Sequence, residues 1–232
     1  MDQQLILDVI ELVSSGDESV VGTSLQEISE KMNLSRINYI QSDRQNIIFP
    51  GLFNGTLFQS FSRNCIDQLI LSLPPVFFKD LVRGGFDKAT KSMGATIKNL
   101  FFYDKVITPT HLEGNHWTFT VVNIKSRSIT LYDSIKSSIY EDQINLLVEF
   151  LNHAYLKYEK PVDDQRLEWS LNFGESPLQN NTSDCGVFTC TNARHVLLGK
   201  PLYYTQEDAP LLRHRITFEI LNNVLLPTPD IS

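Results

Sequence analysis

The spacing of apolar positions divides the chain into a helical opening, a β-rich middle and a helical close. Within residues 3–13, Leu5, Ile6, Val9, Ile10, Leu12 and Val13 fall on one helical face. Ser24-Leu25-Gln26-Glu27 fits a capping box, and Leu25, Ile28 and Met32 continue at helical spacing. The stretch from Ile28 to Arg36 has the flavour of a helix-turn-helix, but a small helical extension over residues 1–50 is the preferred reading. Gln41 to Gly55 is polar and punctuated by Pro, Gly and Asn, which marks a junction. From Thr56 to Leu73, the positions Leu57, Phe58, Phe61, Cys65, Leu69 and Leu73 predict one helix, stopped by Pro74-Pro75. Val76 to Met93 reads as a further helix, broken at Gly84-Gly85.

The pattern then changes period. Leu100 to Ile107 is aromatic and β-branched and predicts a strand ending at Pro109. His116 to Asn123 alternates, with Trp117, Phe119 and Val121 on one side and Thr118, Thr120 and Val122 on the other. Lys125-Ser126-Arg127 turns the chain, and Ser128 to Asp133 returns as the second strand of a hairpin. Glu141 to Tyr158 is an amphipathic helix, Leu167 to Phe173 a strand containing Trp169. A helix is expected at Cys185, and another over roughly Gln206 to Leu226.

Composition narrows the function classes. An apolar content of 42% in 232 residues suits one ordinary domain with a small appendage. A net charge of −7 argues against nucleic-acid binding as the main business, because neutralising phosphates needs clustered Lys and Arg. No apolar run approaches the roughly 18 residues of a membrane span, and the acidic N-terminus lacks the basic region of a secretory signal. Three cysteines, an odd number, point to a reducing compartment, cytoplasmic or nuclear. A monomer without membrane or nucleic-acid partners is expected.

Candidate chemistry gathers on Gln179-Asn180-Asn181-Thr182-Ser183-Asp184-Cys185-Gly186. This polar, turn-forming run delivers Cys185 to the first turn of an apolar helix, with Ser183 and Asp184 as capping types. The unpaired N–H groups of a helix N-terminus favour the thiolate, the reactive form. His116 begins the first hairpin strand and Asp133 ends the second, so a tight turn brings them alongside, because paired strands lie about 4.8 Å apart. A carboxylate holds a histidine in one tautomer and steadies its imidazolium, which with a cysteine makes a thiolate–imidazolium couple. Gln179 and the Cys185 N–H can face a developing oxyanion, a contribution of roughly a few kcal/mol per donor. Taken singly, each residue has an ordinary structural explanation. It is the set that suggests nucleophilic catalysis.

Gly114-Asn115-His116-Trp117, Leu131-Tyr132-Asp133-Ser134, and Gln179 with Ser183-Asp184-Cys185-Gly186-Val187-Phe188 resemble the SUMO-specific (sentrin-specific) proteases of the ubiquitin-like-protein-processing cysteine protease family. Lys200 to Gln206, and Arg213 through Leu221, resemble that family's closing segment. The resemblance covers about residues 75–226. It implies an α+β, papain-like fold with a central, mostly antiparallel sheet flanked by helices, residues 51–232 forming the catalytic domain. It further implies hydrolysis after the Gly-Gly end of a ubiquitin-like modifier, SUMO before ubiquitin or another, from its conjugates, without cofactor or metal. Cys185 would be the nucleophile, His116 base and then acid, Asp133 its orienter, and Gln179 an oxyanion donor. Trp117 would roof a channel that admits only residues without side chains. The family's Trp-Leu-Asn-Asp-like stretch has its nearest counterpart in Leu52-Phe53-Asn54-Gly55, which lacks the Trp and the acid.

Other readings are weaker. Acetyltransferases of related fold use a His/Cys pair, but Trp117 and the Gln179 to Cys185 spacing favour hydrolysis. A binding module with a spent site sits poorly with the full His116, Asp133, Gln179 and Cys185 set. A zinc site from Cys185, Cys190 and His195 fails because five residues along a helix rotate by about 140°, turning the two thiols apart. Cys65 and Cys190 read as core, and His111, His153, His195 and His214 receive no role.

Overall fold

The hairpin forms where the alternation places it: β3 (His116–Asn123) and β4 (Ser128–Tyr132) pair antiparallel, with Phe119 opposite Tyr132 and Asn123 opposite Ser128. Arg127 closes the turn at a left-handed φ of 53°. The computed structural model describes residues 68–112, 116–136, 141–163, 165–222 and 225–226. The expected extension over residues 1–50, the boundary at residue 51, the Leu52-Phe53-Asn54-Gly55 stretch and Cys65 lie outside the described residues.

Around the hairpin, β1 (Ile70–Ser72), β2 (Lys105–Leu112) and β5 (Ser170–Phe173) complete a five-stranded sheet in the order β1-β2-β3-β4-β5. Both central pairings are antiparallel, and the short edge strands β1 and β5 run parallel to their neighbours. The sheet is thus mixed, and antiparallel only at its centre.

Two expectations change here. The helix expected over Thr56 to Leu73 lies outside the described residues up to residue 67, and at its far end Ile70–Ser72 is β1 instead. Leu69, Leu71 and Leu73 alternate as well as they fit a helical spacing, and the pairing with β2 decides between them. The Leu69 N–H donates to the Asp104 carboxylate at 2.8 Å, and the Asp104 N–H donates to the Leu69 carbonyl at 2.8 Å. The strand expected from Leu100 instead begins at Lys105. Leu100 to Phe102 closes a 3-10 segment, Gly94–Phe102, whose Ile97 and Leu100 enter the core. β2 then passes through Pro109, which a strand accepts only where no ladder hydrogen bond is lost. That condition is met, because β1 pairs with β2 only as far as Ile107.

Helices cover both faces of the sheet. On one, α1 (Val76–Met93) and α2 (Glu141–Ala154) press Phe77, Phe78, Leu81, Leu147, Phe150 and Leu151 onto Val106, Val122, Ile129 and Leu131. The Phe77 and Phe150 rings meet edge to face at 4.9 Å, a favourable aromatic geometry. α1 breaks at Gly85 (φ 62°, ψ −158°), as the glycine pair predicts. A π-helical turn, Tyr155–Glu159, extends α2.

On the other face, α3 (Cys185–Leu197) sets Val187, Cys190, Ala193 and Leu197 against Ile107, Phe119 and Val121, with Ile216 of α4 (Ala209–Asn222) behind. α4 is tied to α3 by a buried charge cluster. The Glu219 carboxylate meets the guanidinium groups of Arg194 and Arg215, and both arginines also donate to the Leu226 carbonyl. No helix among the described residues is long and apolar enough to cross a membrane.

Gly174, just past β5, has its backbone against the Tyr132 ring, where an added Cβ would coincide with ring carbons. Gly174→Ala is therefore expected to cost about 1–3 kcal/mol through overpacking. A lower midpoint in urea denaturation checks this, and an unchanged midpoint contradicts it.

Candidate active site

The hairpin register explains how two residues seventeen apart in sequence come to touch. With Phe119 opposite Tyr132, Asp133 stands level with Thr118 and one diagonal step from His116. Diagonal neighbours lie roughly 7–8 Å apart, within reach of long side chains. His116 Nε2 and Asp133 Oδ1 close that gap to 2.6 Å, both buried. The same carboxylate oxygen accepts the Ile135 N–H at 2.9 Å, which holds the acid in place.

Cys185 opens α3 and is buried, and its side chain adjoins the His116 ring, whose pKa it helps to raise. Burial alone would lower the His116 pKa, but the hydrogen bonds and charges of Asp133 and Cys185 overcome it and push the value from 6.5 up to about 9. The ring thus holds its proton well above the ordinary histidine range. This arrangement can move a proton from a thiol and return it to a leaving group.

Gln179 is fixed at the hairpin end of the site. Its Oε1 accepts the Ser134 hydroxyl at 2.6 Å, its Nε2 donates to the Asn181 carbonyl at 2.6 Å, and its own N–H donates to the Ser134 carbonyl at 3.0 Å. Ser134, which follows Asp133, therefore links the acid's strand to the loop that precedes the thiol. Trp117 points to the opposite side of β3 from His116. It is half-buried beside Phe119 and Val121, with the His111 ring tilted against it at 4.5 Å.

One local expectation fails. Asp184 occupies the N-cap position of α3, but its side chain makes no capping hydrogen bond. The carboxylate instead accepts Asn181 Nδ2 at 2.6 Å and Gln206 Nε2 at 2.7 Å and pairs with Arg213. A guanidinium outcompetes a neutral backbone N–H for a carboxylate, because charge-assisted hydrogen bonds are about twice as strong. Burial pushes the Asp184 pKa upward, yet these partners hold it below the ordinary carboxylate value. Asn181 takes over the turn-forming role: its Oδ1 accepts the N–H groups of Ser183 and Asp184, each at 3.0 Å.

The profile of the Ulp1 protease family, C-terminal catalytic domain, matches residues 76–225. The chain belongs to this family. Human sentrin-specific protease 2 is 31% identical over 153 residues, which is 65% of this chain and 25% of that protein. Ubiquitin-like-specific protease 1 of Saccharomyces cerevisiae is 21% identical over 220 residues, covering 94% of this chain and 35% of the yeast protein. The chain thus spans about a quarter to a third of the length of these curated relatives. Among solved structures, the Ulp1-like SUMO protease catalytic domain of Chaetomium thermophilum superposes with a TM-score of 0.58 at 25% identity, covering 79% of this chain and 73% of that one. The C-terminal Ulp1 protease domain in complex with Smt3, the yeast SUMO orthologue, gives a TM-score of 0.59 at 21% identity over 73% of this chain and 76% of that one.

The Ulp1-protease fold carries the α+β architecture expected from the resemblance. Residues that sequence reasoning passed over are Ser134, Asn181, Gln206 and Arg213. Each lies in or beside a stretch that carried the resemblance, but only folding shows that they meet around the loop before Cys185.

Among the described residues, Cys190, His195 and His153 are engaged in packing and local contacts. The Cys190 thiol is buried in the α3 core and its pKa is pushed far up. His195 Nδ1 meets the Pro201 carbonyl at 2.6 Å, and burial lowers its pKa. His153 stacks on Phe86 at 3.8 Å.

Proposed function

We propose that this chain is a cysteine peptidase that cleaves after the Gly-Gly end of a ubiquitin-like modifier, with SUMO as the favoured modifier. The observation that carries it is the His116 ring held at 2.6 Å from Asp133, with the Cys185 side chain adjoining the same ring at the start of α3. The relatives named for SUMO or sentrin support the choice of modifier.

In this reading the proton of the Cys185 thiol already rests on His116, so that a thiolate stands beside an imidazolium before substrate arrives. The sulfur attacks the carbonyl carbon of the terminal glycine. The resulting oxyanion is met by the Cys185 N–H and the Gln179 carboxamide. The imidazolium then donates its proton to the departing lysine amine, leaving a thioester on Cys185. Neutral His116 next takes a proton from water, whose oxygen attacks the thioester carbon, and the thiol leaves with that proton. Trp117 roofs the channel occupied by the two glycines. An indole roof that left space for a backbone but not for a Cβ would exclude ordinary peptides.

The protonation state predicts a pH profile. His116 keeps its proton up to about pH 9, so kcat/KM is expected to fall on the alkaline side with an apparent pKa near that value. Asp133→Asn removes the anion that raises it. The alkaline limb then moves to lower pH, and kcat drops by roughly two to four orders of magnitude as the ring loses its orienter. An unmoved limb would contradict the assignment. The linkage to folding has the same sign. The folded-state value lies above the unfolded 6.5, so this ring's contribution to stability is complete below about pH 6.5 and lost as the pH rises through about 9.

Modifiers bearing a C-terminal electrophile test the activity directly. SUMO carrying such a group should form a covalent adduct with Cys185 faster than ubiquitin does. Adduct formation with no modifier of the panel would overturn the proposal.

A further inference from the structure

Asp184 poses an electrostatic problem for the nucleophile beside it. A carboxylate one residue from Cys185 opposes both the thiolate and the oxyanion that forms next to the Cys185 N–H. The fold answers with Arg213, brought from α4 onto that carboxylate, and with Gln206 and Asn181 on its second oxygen. Gln206 also accepts the Asn180 N–H on its Oε1 at 2.9 Å, so the two residues from the α4 side grip the loop at both Asn180 and Asp184. The Arg213 and Asp184 side chains are 21% and 11% exposed, a setting in which water screens the pair only partly.

We infer that Arg213 is a positioning residue for the reaction: it cancels the Asp184 charge and holds the Asn180 to Asp184 loop, and through them it sets the reactivity of Cys185. It acts through Asp184 and touches neither the modifier nor the reacting atoms. The inference rests on the reading of Cys185 as the nucleophile. Among the described residues, the charged groups the inference turns on are His116 from β3 with Asp133 behind it, Asp184 from the loop before Cys185, and Arg213 from α4 behind Asp184.

The test separates charge from scaffolding. The second-order rate of Cys185 alkylation by iodoacetamide is measured at neutral pH, together with kcat and KM on a modifier fusion and the melting temperature. Arg213→Gln leaves the carboxylate uncompensated and is expected to lower alkylation and kcat by about ten- to a hundredfold, with KM nearly unchanged. Arg213→Lys, which keeps the charge, should recover most of the loss. The double variant Asp184→Asn/Arg213→Gln, which removes both charges, should react faster than Arg213→Gln alone.

Alkylation needs no modifier, so it reads the inference even where cleavage of the chosen fusion fails. A native alkylation rate in Arg213→Gln overturns the inference. So does a double variant as slow as the single one, or Arg213→Lys as slow as Arg213→Gln, since either result assigns the effect to lost scaffolding rather than charge. If Arg213→Gln melts below the assay temperature, the comparison of Arg213→Lys with wild type decides. Alkylation and kcat of Arg213→Lys close to wild type uphold the charge role, and loss of both at a native melting temperature overturns it.

Discussion

Cys185→Ala is expected to eliminate modifier cleavage, with kcat falling by at least about 10⁴-fold while the fold and modifier binding persist. In the proposed mechanism the sulfur is the atom that bonds to the substrate carbonyl, and none of the neighbouring groups can replace it. His116 is engaged with Asp133, and Gln179 presents an amide without nucleophilic power. Cys185→Ser keeps the shape but substitutes a hydroxyl that this imidazole deprotonates far less readily, so it should be nearly as inactive. Gel-based cleavage of a modifier fusion, paired with a thermal melt, measures both halves of the expectation. Wild-type turnover in the alanine variant would remove Cys185 from the mechanism. Retained binding matters equally, because a variant that loses both binding and melting temperature has only lost its fold.

The largest effect on stability is expected at Glu219. This carboxylate is 1% exposed and bridges two buried arginines, Arg194 on α3 and Arg215 on its own helix. It also accepts the Leu226 N–H at 3.0 Å, so the returning C-terminal segment hangs from the same group. Burial and the Arg194 charge both depress the Arg215 pKa, a sign that the two cations repel and need the anion between them. Glu219→Ala leaves that repulsion buried and uncompensated, a loss of about 3–5 kcal/mol. For a domain of this size the melting temperature should drop by roughly 6–20 °C. A shift under 2 °C by calorimetry, about what 1 kcal/mol or less would give, would show that water or rearrangement supplies the missing charge.

Much of this molecule is legible along the chain, for reasons that are local. The period-two alternation of Trp117 to Val122 and the turn at Lys125-Ser126-Arg127 specify the hairpin, because the two sides of a strand meet different surroundings. The double glycine marks the α1 kink, because only a residue without Cβ takes a φ of 62° without strain. Where the reading failed, local signals were ambiguous. Leu69, Leu71 and Leu73 satisfy both periods, and the aromatic run at Leu100 has β-propensity but lies where the core needs a tight helical turn. Asp184 has the composition of a cap, and its actual partner is twenty-nine residues away.

The sequence by itself determined which chemical groups are present and which elements carry them: a thiol at the start of a helix, an imidazole and a carboxylate at the two open ends of one hairpin. Only the tertiary structure decided that the thiol meets the imidazole. It also decided that Arg213 reaches Asp184, and that one buried glutamate serves two arginines. Those contacts depend on how separately formed elements dock. Docking is set by the summed fit of two core faces, which no short stretch of residues encodes.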